Sequence, residues 1–491
     1  MIFNLFPQYN APLITALFNS VLTKNAAFYA PGHKKGQGIE SQLKHLLGKK
    51  VFQADLPELP ELDNLFVPQQ AIAQAQNLAA ECFGATSSWF LINGSTCGII
   101  SAIVATCGTG DKIILPRNIH QSAIAGLIIS GAIPIFINPE YDTVSNITYS
   151  ITTKKLQYTI EQHPETKAVM VLHPSYQGIC SDLEAIANIT KQYNVPLLVD
   201  EAHGGHFAFH EQLPPSALSV GADLTVQSTH KVLGAMTQAS MLHLQGDKIA
   251  PQRINKALQL MQSTSPSYIL LASLDAARKQ MALEGTELMS KALKLADLAR
   301  EAISKIPKLS VLELTPRSGF KDLDRTRLTV DITQLGITGY EADEILHQQL
   351  GVTCELPLLN HLTFIITFGN TEEDIEKLIQ ALRLLSRKCR DERSSNSTIT
   401  SSSLRFPPSS FKISPREAYF SATETIPLSA ASDRICGELI CPYPPGIPIL
   451  MPGEVITPEA IEYLQQILKS GGVITGCSDE TLTTITVIQE D

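Results

Sequence analysis

No cysteine of this chain stands in a CxxC pair: the nine, at 82, 97, 107, 180, 354, 389, 436, 441 and 477, are scattered and odd in number. Neither a zinc ribbon nor a disulfide framework is indicated, and the residues read as reduced thiols of a cytoplasmic protein. Positive charge is in deficit as well. Lys and Arg total 38 against 48 Asp and Glu, a formal net charge of −10, so no global field exists to collect nucleic acid or anionic lipid. Long apolar runs are missing. The N-terminal stretch MIFNLFPQYNAPLITALF has no basic leader and is interrupted by Pro7 and Pro12, which argues against a secretory signal, and no run approaches a bilayer span. Aromatics are sparse at 6%, but hydrophobic residues make up 44% of 491, enough for a large core and, on length alone, about three domains. The chain reads as soluble, with no nucleic acid and no membrane among its partners.

Between about residues 75 and 245, short β-rich runs (SSWFLI, KIILP, IPIFI, KAVMVLHP, PLLVDEAH, DLTVQST) alternate with helical patterns. That alternation predicts an α/β fold built on a mostly parallel sheet with helices on both faces. From Gln252 to about Ile306 the pattern is nearly continuous helix, and from Leu309 to Arg387 strands (RLTVDI, LTFIITF) are again separated by helical stretches. The organisation expected is an N-terminal segment 1–70, a large domain 71–250, a connecting helix and small α/β domain 251–388, a Ser-rich linker 389–412 and a C-terminal α+β domain 413–491. This last part holds the Pro-rich ELICPYPPGIPILMPGE, a helix (PEAIEYLQQILKS) and a closing strand pair around Gly476 to Asp479.

The chemistry is concentrated in VDEAHGGHF and GADLTVQSTHK. Asp200 ends one apolar run and Lys231 another, placing both at the carboxyl ends of parallel strands, where open α/β sheets build their sites. The plainer reading is a helix cap and a solvated lysine. Around them, Ser228, Thr229 and His230 precede Lys231, and Gly94, Ser95 and Thr96 open a helix after SSWFLI, a geometry suited to a phosphate. An imine-forming amine, a carboxylate and two anion-binding edges together describe a pocket for pyridoxal 5′-phosphate. A buried carboxylate beside the pyridine nitrogen keeps the ring cationic. His120, in PRNIHQSAI, is placed to lie over one ring face, and Ala202 leaves room under the other.

On FYAPGHKKGQG, DLPELPELDNLF, NGSTCGIISAI, PRNIHQSAI, HPSYQGICSDL, VDEAHGGHF, STHK and PYPPGIPILMPGE, in that order, the chain resembles the ornithine/lysine/arginine decarboxylases among the fold-type-I pyridoxal-phosphate enzymes. The resemblance runs from about Phe28 to the end. It implies an aspartate-aminotransferase-like fold with Lys231 as the imine lysine, Asp200 as partner of the ring nitrogen and His120 as the stacking residue. Gly94, Ser95, Thr96, Ser228 and His230 would hold the phosphate, and His203 would act near the imine and the substrate carboxylate. For His206 the preferred reading is a satisfied core histidine. The chain looks like the shorter form of the family, without an N-terminal wing, and a homodimer is expected.

The reaction implied is decarboxylation of a small basic amino acid to its amine, feeding polyamine synthesis. Arginine is the first choice, with lysine or ornithine as alternatives, and no metal is required. Lys231 and His230 are the candidates for reprotonating Cα. A cationic substrate tail needs acceptors, for which Glu58, Glu61, Asp63 and Glu438 are available, although each is also a reasonable surface or interface ion-pair residue. His33, Lys34 and Lys35 suit either the site entrance or a solvated turn, and Cys97 suits packing. Two other readings remain at this point: an aminotransferase or aldolase, for which Arg317, Arg325 and Arg327 offer a carboxylate clamp, and a silent polyamine-binding paralogue.

Overall fold

The computed structural model describes residues 5–315, 317–391 and 410–490. Most of the Ser-rich linker expected at 389–412 lies outside the described residues. The chain divides into two compact units. The first comprises 1–105, 198–211 and 215–288; the second comprises 106–197, 212–214 and 289–491.

Seven strands form the expected mostly parallel sheet, with β7 antiparallel to both its neighbours: β1 (Ser87–Leu91), β2 (Lys112–Pro116), β3 (Ile133–Ile137), β4 (Ala168–Leu172), β5 (Leu197–Asp200), β6 (Leu224–Gln227) and β7 (Ser240–Leu244). The first unit carries the order β1-β7-β6-β5, with β6 and β5 parallel and Asp200 opposite Val226. The second carries β4-β2-β3, all parallel. Every residue of β5 (LLVD) and β6 (LTVQ) is buried, including the polar Asp200, Thr225 and Gln227, so both faces of these strands are covered.

Helix α1 (Gly94–Thr106) follows β1 directly and packs tightly on the sheet. A Cβ on Gly98 would stand 2.6 Å from Leu91 and 2.7 Å from Val226, so only glycine allows this helix so close. Helix α2 (Gln121–Ser130) follows β2 through a short turn and is capped by His120. The expected continuous helix from 252 to 306 is instead two helices, Pro251–Met261 and Tyr268–Ser304. The break falls in QSTSPS, where Pro266 and the hydroxyl residues before it disfavour helix. In the first unit, Asp275 accepts the Leu13 N–H at 3.0 Å and pairs with Arg278, whose guanidinium donates to the carbonyls of Gln8 (2.8 Å) and Asn10 (2.7 Å). This buried pair anchors the N-terminal segment.

The second unit also holds a four-stranded antiparallel sheet. Its strands are β8 (Ser310–Val311), β9 (Arg327–Asp331), β10 (Leu356–Pro357) and β11 (His361–Ile365), in the order β8-β9-β11-β10. Toward the C-terminus, Thr423–Pro427 pairs with Thr484–Ile488, and Cys441–Tyr443 with Val473–Thr475. A strand pair closing on itself around Gly476 to Asp479 is not what forms. The Asp479 carboxylate instead accepts the N–H groups of Thr481 (3.0 Å) and Thr484 (2.9 Å), making a loop whose two flanking strands pair elsewhere. Among the described residues, no helix is long and apolar enough to cross a membrane.

Candidate active site

Because β5 and β6 are adjacent and parallel, the segments leaving their carboxyl ends emerge side by side in the first unit. One carries Asp200, Glu201, Ala202 and His203. The other carries Ser228, Thr229, His230 and Lys231, the last on a single helical turn, Thr229–Val232. The Lys231 Nζ lies 3.0 Å from His203 Nε2. Asp200 is buried, and one carboxylate oxygen accepts the Ala202 N–H at 3.1 Å. Burial pushes the Asp200 carboxyl well up from the ordinary carboxylate range, while the Lys231 cation opposes that rise. An acid so placed favours a cationic neighbour, because attraction to it offsets part of the anion's desolvation penalty.

A second edge faces the same strand ends. Ser228 Oγ donates to Ser95 Oγ at 2.6 Å, joining the segment after β6 to the first turn of α1. That turn presents helix N-terminal N–H groups at Gly94, Ser95 and Thr96. Thr229 Oγ1 is buried without a hydrogen-bond partner. His230 Nδ1 donates to the Ala239 carbonyl at 3.0 Å; since a carbonyl can only accept, the neutral ring carries its proton on Nδ1. Burial holds the His230 pKa below its ordinary value, the Ala239 hydrogen bond opposing this and Lys231 adding to it. Hydroxyls, free helix N–H groups, an amine and a buried acid fit a phosphorylated aldehyde with a basic ring nitrogen. Cys97 donates to the Gly94 carbonyl, and burial pushes its thiol up to about 12, so it packs rather than reacts.

His120 belongs to the second unit, where its Nδ1 accepts the Ser122 N–H at 3.1 Å and caps α2. Family models match most of the chain. The Orn/Lys/Arg decarboxylase major-domain model matches residues 11–322, and the C-terminal-domain model of the same family matches 403–482. This chain belongs to the Orn/Lys/Arg decarboxylase family. It is 39% identical over 485 residues to the arginine decarboxylase of Bacillus anthracis, covering 98% of both chains. It is 37% identical to that of Bacillus subtilis (strain 168), over 98% of this chain and 99% of the relative. The crystal structure of the Francisella novicida lysine decarboxylase LdcF shares the fold, with a TM-score of 0.82 at 22% identity over 99% of this chain and 82% of that one. The fold is therefore fold-type-I α/β and the chain a decarboxylase of basic amino acids.

The four acids considered for the substrate tail occupy different settings in this decarboxylase. Asp63 is buried and accepts backbone N–H groups from Asn64, Gln69, Gln70 and Ile72 at 2.7 to 3.1 Å. Burial works against its ionisation, but those donors outweigh it and hold its pKa low. Glu58 accepts from the Asn64 amide (2.6 Å) and the Leu65 N–H (2.9 Å). Glu438 accepts from Ser478 and from the Thr486 N–H in the C-terminal region. Glu61 accepts the Ser20 hydroxyl at 2.8 Å and, with Glu81, lines a cavity of about 720 Å³ in the first unit.

The three arginines considered as a carboxylate clamp all have acidic neighbours within the second unit. Arg317 pairs with Asp142 at 2.5 Å, Arg325 with Asp297 at 2.8 Å, and buried Arg327 lies 3.6 Å from Asp324. His33 pairs with Asp55 at 3.0 Å, and Lys34 and Lys35 continue that turn with positive φ. His206 is buried. Reading the sequence passed over Glu201, which is buried and accepts from Ala217 N–H (2.7 Å) and the Gln227 amide (2.7 Å). Its signal was a second acid inside LLVDEA, where any charge must find partners.

Proposed function

We propose that this enzyme decarboxylates arginine to the corresponding amine and carbon dioxide, with pyridoxal 5′-phosphate as cofactor, feeding polyamine synthesis. The observation that carries the reading is the amine of Lys231 held at 3.0 Å from an imidazole next to a buried acid, all on the carboxyl ends of two adjacent strands. Two whole-length relatives named arginine decarboxylases favour arginine over lysine and ornithine.

Lys231 would hold the cofactor, with Asp200 at its ring nitrogen and Gly94, Ser95, Thr96, Ser228 and His230 around its phosphate. Ala202 would leave room beneath the ring, and the PRNIHQSAI motif assigns His120 to stacking on it. When bound, pyridoxal phosphate supplies an aldehyde carbon for the amine and a ring that takes up the electron pair left by carbon dioxide. The rest is done by the chain. His203 Nε2 can accept a proton from the Lys231 ammonium, giving the amine the lone pair it needs to act as a nucleophile. Asp200, buried beside that ring, would favour its cationic form. Lys231 and His230 would be the acids available to reprotonate Cα; His230 must first gain a proton at Nε2, because Nδ1 is bound to Ala239.

For the guanidinium tail we assign Glu61 first, since one hydroxyl is its hydrogen-bond donor whereas Glu58, Asp63 and Glu438 accept from two or more donors each. The working unit is read as a cytoplasmic homodimer. Phe18, Leu22 and Phe28 on the N-terminal segment are exposed, an apolar surface that a second copy would cover. The test is to incubate the protein with pyridoxal phosphate and arginine, lysine or ornithine separately and to identify the product. Agmatine from arginine at the highest kcat/KM is expected; a 2-oxo acid, or a preference for lysine or ornithine, would overturn the assignment.

A further inference from the structure

The Pro-rich segment PYPPGIPILMPGE lies against the turn that carries His120, and both belong to the second unit. After β2, Ile119 N–H donates to the Pro116 carbonyl at 3.2 Å, folding Arg117 inward. The Arg117 side chain is fully buried. Its guanidinium donates to the carbonyls of Pro448 (2.7 Å) and Ile449 (2.9 Å) and to the Glu454 carboxylate (3.1 Å). Glu454 is itself fixed by the Met451 N–H at 2.9 Å. A buried cation is tolerated only when an anion and further acceptors meet it, and the carboxylate and two carbonyls that meet Arg117 lock turn and segment to one another.

The same segment reaches the histidine. Gln121 N–H donates to the Gly446 carbonyl at 3.0 Å. Gly446 adopts φ +75°, and a Cβ there would stand 3.2 Å from His120 Nε2 and 3.5 Å from its Cδ2. On the opposite edge of the ring, Nδ1 accepts the Ser122 N–H. The imidazole is therefore bracketed at both nitrogens, by its own helix on one side and by a bare glycine on the other.

We propose that Gly446 is a positioning residue for His120, and that the C-terminal segment, clamped through Arg117 and Glu454, sets where that ring lies. The inference rests on the reading of His120 as the residue stacked on pyridoxal phosphate. It gives the C-terminal region a part in cofactor binding that acts through His120.

The test is a double-mutant cycle on the full chain, with the pyridoxal phosphate dissociation constant and the position of the visible absorbance band as readouts. Wild type, Gly446→Ala, His120→Ala and the double variant are compared. If Gly446 acts through His120, Gly446→Ala weakens binding by at least about threefold and shifts the band in the wild-type background, but changes affinity by less than about twofold when His120 is already alanine. An equal loss in both backgrounds, or none in the wild type, would overturn the proposal. Should Gly446→Ala fail to fold, Arg117→Lys, which keeps the charge but loses the fork on two carbonyls, enters the same cycle with the same expectation. A wild-type protein that binds no pyridoxal phosphate would sink the functional reading; one that binds it and decarboxylates, with an additive cycle, would sink only the role of Gly446.

Discussion

The Nζ of Lys231 and the Nε2 of His203 stand 3.0 Å apart, on segments that leave two adjacent parallel strands. At that distance the pair is hydrogen-bonded. A lysine used as a nucleophile is protonated at neutral pH and must lose that proton beside a group able to take it, which is the role proposed for His203. A backbone hydrogen bond to Ala202 orients the neighbouring acid, Asp200, at no cost in side-chain freedom to the rest of the site.

Asp200→Asn should separate charge from shape. The carboxyl is fully buried and its pKa is raised by burial, against the opposing Lys231 charge. An amide fills the same space without that penalty, so the melting temperature of the cofactor-free protein should hold or rise. Loss of the acid should lower kcat by about 10²- to 10³-fold, the scale of a single electrostatic partner removed from a reacting centre. Steady-state kinetics beside a thermal melt check both, and a kcat within tenfold of wild type would contradict the assigned role.

Glu201 predicts a pH dependence of stability. Burial raises its pKa to about 7, its hydrogen bonds from Gln227, Ala217 and Thr225 only partly opposing this. A carboxyl raised in the folded state binds its proton more tightly there than in the unfolded chain. Its contribution is therefore fully present below about pH 4.5 and lost as pH rises through about 7, on the order of 3 kcal/mol in all. Glu201→Gln should flatten the fall in melting temperature between about pH 5 and 8, as measured by calorimetry. An unchanged slope would show that the carboxyl is ionised throughout.

Much of this was legible in the chain itself, for reasons particular to each residue. Asp200 and Lys231 stood out only in company, because each alone reads equally well as a helix cap or a solvated lysine until the hydroxyls of Ser228, Thr229, Ser95 and Thr96 are set beside them. The bond between Ser95 and Ser228 was not readable as a contact, since 133 positions separate them and only the sheet order brings them together. The acids of LPELPELDNLF looked alike in sequence. Asp63 turns back on the N–H groups that follow it, whereas Glu61 faces a cavity, and that difference is set by packing around the N-terminal helices. The grip of Arg117 on carbonyls more than 330 positions away was likewise invisible. Local signals located the helix break at Ser263 to Pro266 poorly, because the apolar spacing on both sides is helical.

The claim on which the others depend is that the amine at position 231 is the point of attachment of pyridoxal phosphate. Loading the full-length protein with the cofactor, reducing it with borohydride, digesting it and sequencing the labelled peptide by mass spectrometry addresses that claim directly. The account predicts a single reduced pyridoxyl group on the peptide containing STHK, at Lys231, and no label in Lys231→Ala. A label on any other lysine, or none on a protein that still decarboxylates its substrate, would contradict it.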